Sequence, residues 1–234
     1  MQGKFCYNCG QKAKTERITI SLLWHDLFHF FTHIESGFLF TTLRMFTAPG
    51  TVIKEYVEGK RIRYQRPVSY FLIWVATWAL LLFAFEKLFG TDTVIYRNHY
   101  FSNATDYAFR NLNIITGIML PINAFYLFAI AMHRYYNYFE CFVAALYIQG
   151  TIFTMQVFFG IACLVYYLIT GSSVNLAISD VLKFICVFGI CFHLLSQYTL
   201  KYRFLRMVIV VIVSTGTFLF WRMYGLSLLA GNLF

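Results

Sequence analysis

The sequence predicts an all-α integral membrane protein: about five transmembrane helices, preceded by cytoplasmic interfacial amphipathic helices and a short zinc-knuckle-like N-terminus. Three observations predict it. Only 12% of the 234 residues are charged and 59% are hydrophobic, whereas soluble domains carry about 25% charged residues. Five apolar stretches each reach the ~20 residues that a helix needs to cross a bilayer. Charge is also polarised along the chain. The first 66 residues hold ten Lys or Arg against five Asp or Glu, and an anionic membrane surface attracts such a juxtamembrane excess.

Residues 1–17 form the first unit, centred on Cys6-Tyr7-Asn8-Cys9-Gly10. In a CxxCG turn two thiolates converge on one metal, and glycine permits the tight backbone. No apolar core follows the first charges, so the first spanning segment is expected to serve as the targeting signal.

Residues 18–66 form the second unit, of cytoplasmic and interfacial amphipathic helices. Ile20, Leu23, Leu27, Phe30, Phe31 and Ile34 recur at helical spacing, interrupted by His25, Asp26, His29 and His33. The three histidines are four residues apart and share a helix face. Ser36-Gly37 breaks the pattern, and Phe38, Leu39, Thr42, Leu43 and Phe46 begin another, with Arg44 opposite. These helices are expected along the cytoplasmic interface or against the bundle. Pro49 suits a first helical turn and Gly59 the position after a last one. Lys60, Arg61, Arg63 and Arg66 then make a basic collar before Pro67.

Residues 67–234 form the transmembrane bundle, with spans expected at about 68–88, 114–132, 141–169, 181–200 and 207–229. Arg134 lies between the second and third spans, and Lys201, Arg203 and Arg206 between the fourth and fifth. The positive-inside rule then places the N-terminus in the cytoplasm and the C-terminus outside. The 89–113 loop is external, nearly neutral and rich in tyrosine. Its Asn103-Ala104-Thr105 sequon has meaning only in a eukaryotic secretory pathway.

Taken together, Cys6, Cys9, Gly10 and Gln11, followed by Pro49, Gly50, Ile53, Tyr56, Gly59, Lys60, Arg61, Tyr64 and Pro67, carry a resemblance. The chain resembles a family of uncharacterised bacterial multi-pass inner-membrane proteins with an N-terminal CxxCGQ knuckle and a PG..I..Y..GKR..Y..P motif. The resemblance covers roughly the first third of the chain. It implies a bacterial inner (cytoplasmic) membrane protein and supplies no activity.

The strongest chemical signal is metal. Cys6, Cys9, His25 and His29 read C-x2-C-x15-H-x3-H, close to Cys2His2 zinc spacing, and a closed tetrahedral site of that kind is structural. The competing readings are a reduced cysteine pair in the cytosol, a knuckle paired with that of another chain, and a His25/His29/His33 metalloenzyme, for which the six histidines are too few ligands. A thioredoxin-like redox motif would need a βαβ context that is missing. Within the spans, Gln149 and Gln156 share one face, and His193 and Gln197 another. This polar seam either hydrogen-bonds between helices or lines a path for a small solute or ion. No P-loop, GxSxG, HExxH or Rossmann fingerprint occurs.

The leading expectation is therefore a non-enzymatic membrane scaffold with a structural zinc knuckle. It would bind a cytoplasmic protein or oligomerise with itself. Its collar is expected to contact lipid headgroups and to set topology, rather than to read nucleic acid. The alternatives are a small-solute or ion permeation protein and a His-based membrane metalloenzyme.

Overall fold

The computed structural model of the chain describes residues 17–24, 37–89, 95–96, 112–172 and 174–220. Among them, seven helices of nine residues or more follow one another: α1 (Phe38–Thr47), α2 (Pro49–Val57), α3 (Pro67–Phe89), α4 (Leu112–Tyr126), α5 (Tyr138–Thr170), α6 (Leu176–Ser196) and α7 (Arg203–Phe220). Four of these, α3, α5, α6 and α7, are long and apolar enough to cross a membrane.

The helix anticipated over 114–132 is built differently. Pro121 lies inside α4, where it removes one backbone donor and crowds the preceding turn. The chain then widens into a π-helical stretch, Leu127–Met132. The helical run is nevertheless continuous from Leu112 to Met132, with Thr116–Met132 as its apolar part. One other boundary shifts: α6 ends at Ser196, because Gln197 to Leu200 make short-range turns. The part of the expected 207–229 span beyond Phe220 lies outside the described residues.

α5 is the central post, 33 residues long. Its start is fixed by a capping box. Asn137 Oδ1 accepts the Glu140 amide at 2.8 Å, and Glu140 Oε2 accepts the Asn137 amide at 2.7 Å, which satisfies two otherwise orphaned donors. Gly171 ends it in the left-handed region, φ 69°. α5 packs against α3, α4 and α6, and at its start against α1 and α2. The α3 contact is close because of two glycines. A Cβ on Gly150 would sit 2.7 Å from the Tyr70 ring, and one on Gly160 2.9 Å from Leu81. Small residues at helix crossings are the usual means of close packing in lipid.

The helices run alternately, so the 133–137 and 197–202 connections meet at the end where α3 begins. Tyr136 and Tyr198 hydroxyls lie 2.6 Å apart there. Arg134, Lys201, Arg203 and Arg206 therefore share that end with the collar. At the opposite end, a two-residue parallel pair joins β1 (Ile95–Tyr96) to β2 (Val174–Asn175).

Candidate functional site: a docked collar and a cavity between the helices

The collar layer is built on α2. Pro49 is its first residue, and the turn after it is released at Gly59, φ 104°. Pro49, Gly50, Val52, Ile53 and Tyr56 are buried, so α2 is wedged into the bundle rather than lying on it. Gly50 makes the closest approach. Its N–H donates to His193 Nδ1 at 3.0 Å, and a Cβ there would sit 2.5 Å from the His193 carbonyl oxygen. Only glycine fits against that backbone. Tyr56 meets Tyr147 of α5 edge to face, with centroids 5.6 Å apart. The Tyr147 hydroxyl donates to the Gln65 carbonyl at 2.5 Å, and the Gln65 N–H donates to Thr41 Oγ1 at 2.8 Å. One chain of contacts thus ties α1, α2, α5 and the collar together.

Charge in this layer is locally balanced. Glu55 accepts from the Tyr64 hydroxyl at 2.5 Å and from Lys60 at 3.0 Å. The Tyr64 hydrogen bond, helped by Lys60 and Arg63, holds its carboxyl below the usual 4.5. Burial, followed by the Glu55 contact, pushes the Tyr64 phenol up to about 12. Arg63 stacks over the Phe40 ring at 4.4 Å, and Arg61 over Tyr56 at 5.7 Å, an attraction of ring quadrupole and cation. Burial likewise raises Tyr198 to about 12. The Gln65 side chain departs from this balance: it is wholly buried, and neither amide atom has a hydrogen-bond partner.

α1 faces the opposite way from a soluble amphipathic helix. Thr41, Thr42 and Met45 are buried, while Leu39, Leu43 and Phe46 are exposed. These three fall on one stripe pointing away from the protein.

Arg17 is the inner anchor of the N-terminal segment. Its guanidinium forks onto Glu140, with Nε to Oε1 and Nη2 to Oε2 both at 3.1 Å. Asn137 Nδ2 donates to the Ile18 carbonyl at 3.1 Å. Glu140 is almost fully buried, so the chain is pinned to the start of α5 just beyond the Cys-bearing stretch.

The second feature is a cavity of about 270 Å³ between α4, α5, α6 and α7. Its walls are mainly aliphatic, from side chains such as Leu127, Ile152, Val187 and Val210. Asn123, Gln149, Ser214 and Thr215 add neutral polar groups, and Asp180 and Lys183 add an ion pair at 2.9 Å. Asn123 Oδ1 is buried and has no hydrogen-bond partner.

The anticipated site residues separate. Cys6, Cys9, His25, His29 and His33 lie outside the described residues. Among the described residues, no group of three or more His, Cys, Asp or Glu could hold a metal ion. Of the polar seam, Gln149 lines the cavity. Gln156 is buried elsewhere on α5, His193 accepts from Gly50, and Gln197 sits in the turn after α6. Sequence reading missed the Asp180–Lys183 pair as cavity lining. Its one signal was two opposite charges at i, i+3 just inside an apolar stretch, which reads as an ordinary span boundary.

The family described as a protein of unknown function (DUF3667) matches residues 35–78. That stretch holds α1, α2, the collar and the first half of α3, and excludes the CxxC segment. No curated protein and no solved structure matches the chain.

Proposed function

We propose that this membrane protein is a non-enzymatic scaffold. Its docked collar holds the N-terminal Cys/His segment at the cytoplasmic surface of a bacterial inner membrane, for a cytoplasmic partner or a second copy of the chain. The observation that carries this reading is the fate of the matched segment. Its Gly50, Tyr56, Tyr64 and Gln65 backbone contacts are spent on packing α1 and α2 to the bundle. Lys60, Arg61 and Arg63 remain at the rim, where Lys and Arg suit anionic headgroups, as does Arg66 just before α3. The outward stripe of α1 suits burial at the headgroup and acyl boundary. The shared end of Arg134, Lys201, Arg203 and Arg206 supports a cytoplasmic collar, an external C-terminus and five passages in all, with Thr116–Met132 as the fifth.

Cys6, Cys9, His25 and His29 are the proposed zinc ligands. Two thiolates and two imidazoles suit one tetrahedral ion with no open position, and hence a structural role. Purified full-length protein should carry roughly one zinc per chain, lost together in Cys6→Ser and His25→Ala. Zinc content unchanged by Cys6→Ser, or two irons per chain, would overturn the knuckle. A reporter fused after Phe234 should be found outside the cytoplasm, and a cytoplasmic reporter would overturn the orientation.

A further inference from the structure

The cavity between α4, α5, α6 and α7 is not used by the scaffold reading, and it has the lining of a ligand site. On α6, Asp180 and Lys183 lie two and five residues inside the end of the apolar stretch Ile178–Ser196 that is remote from the collar, so the pair marks the end of the cavity away from the collar. The two opposite charges stand 2.9 Å apart, so the pair by itself brings no net charge to the lining. The remaining polar groups are neutral: Asn123, Gln149, Ser214 and Thr215.

The unsatisfied atom is the most informative. Asn123 Oδ1 is buried without a hydrogen bond, which costs about 1–3 kcal/mol unless a donor arrives. The ester carbonyls of a phospholipid tail bring acceptors only. A hydroxyl can donate to Asn123 and accept from an amide or hydroxyl beside it. The rest of the wall is aliphatic and aromatic, suited to an apolar body. An apolar cavity of about 150 Å³ holds benzene, so about 270 Å³ holds roughly a bicyclic ring or a short branched chain.

We propose that this cavity binds one neutral, hydroxyl-bearing amphiphile drawn from the bilayer. Its apolar body lies between α5, α6 and α7, and its hydroxyl is held by Asn123 with Gln149 alongside. The Asp180–Lys183 pair closes the polar side without selecting charge.

The probes are 1-naphthol, naphthalene and 1-naphthoate, titrated into full-length protein in nanodiscs and read by ligand fluorescence. Partition into the lipid is subtracted with Ser214→Phe, which fills the cavity. Wild type should bind 1-naphthol roughly tenfold more tightly than naphthalene and 1-naphthoate most weakly. Asn123→Leu should bring 1-naphthol down to naphthalene, while Asn123→Gln keeps part of the preference. Size-exclusion profile and helicity confirm that each variant is folded. A misfolded Ser214→Phe is replaced by Val187→Phe. Equal binding of 1-naphthol and naphthalene by wild type would overturn the proposal. So would 1-naphthoate as the tightest probe, or saturable binding undiminished in the filled cavity. The scaffold reading is tested by zinc and topology, and survives or fails independently.

Discussion

The collar layer and the cavity layer share α5 and α6, yet they are packed on opposite terms. In the collar, α2 comes so close to α6 that a single methyl on Gly50 would strike a backbone carbonyl. Buried hydroxyls and backbone amides there find partners across 24 to 143 residues of sequence, the Gln65 side-chain amide being the exception. Next to it, α4 is interrupted by Pro121 and the chain widens over Leu127–Met132, and a cavity of about 270 Å³ opens between α4, α5, α6 and α7. Interiors are normally packed like organic crystals. The dense layer therefore behaves as a clamp, and the loose layer as room for something else. Of the residues that lock the clamp, Thr41, Gly50, Tyr56, Tyr64 and Gln65 fall within the matched stretch 35–78.

The comparison breaks most visibly at Gly50. Gly50→Ala should lower stability by about 1–3 kcal/mol, the usual cost of overpacking, because the His193 carbonyl oxygen cannot rotate away. Thermal unfolding in a fixed detergent reads this directly. Tyr147→Phe comes next. It removes the buried donor to the Gln65 carbonyl and should cost about 1–2 kcal/mol by the same measurement, with the ring packing against Tyr56 retained.

A smaller effect should appear with pH. Glu55 is held below its ordinary 4.5 in the folded protein, so its contribution is complete above that value. It is lost as pH falls through the lower folded value. Because Lys60 is largely exposed and screened by solvent, the Tyr64 hydroxyl carries most of it. Tyr64→Phe should therefore flatten the loss of stability below pH 4.5 and change little near neutrality beyond about 1 kcal/mol. An acid limb of unchanged slope would contradict this. Smallest, and opposite in sign, is Gly117→Ala. Among the described residues, no atom outside its own helical turn lies within 4 Å of its added methyl, so the variant should gain about 0.5–1 kcal/mol from helix propensity alone. A loss at Gly117 equal to that at Gly50 would erase the distinction between the layers.

Much of this architecture was legible in the sequence, for identifiable reasons. Pro49 and Gly59 bracket α2 because their backbone preferences are local. The lengths of α3, α5 and α6 follow from apolar runs, which need no knowledge of neighbours. The rest depended on distant pairing. Nothing near His193 signals that its ring accepts an amide 143 residues away, and its spacing from Gln197 pointed to a seam instead. The facing of α1 was hidden for a similar reason. Leucine and phenylalanine occur all around it, and only the Gln65 amide, which seeks Thr41 Oγ1, selects the threonine side for the interior. Asp180 and Lys183 resembled boundary charges until α4 and α7 closed a cavity around them.

The central claim is that α2 is clamped into the bundle and does not float on the membrane surface. Hydrogen exchange across residues 49–59, followed in full-length protein in nanodiscs, tests it most directly. The account predicts that the amides of Val52 to Tyr56 stay protected for hours, as those at the start of α5 do, and that Gly50→Ala releases them. Exchange of these amides within seconds in the unmodified protein, at the rate of an exposed interfacial helix, would contradict it.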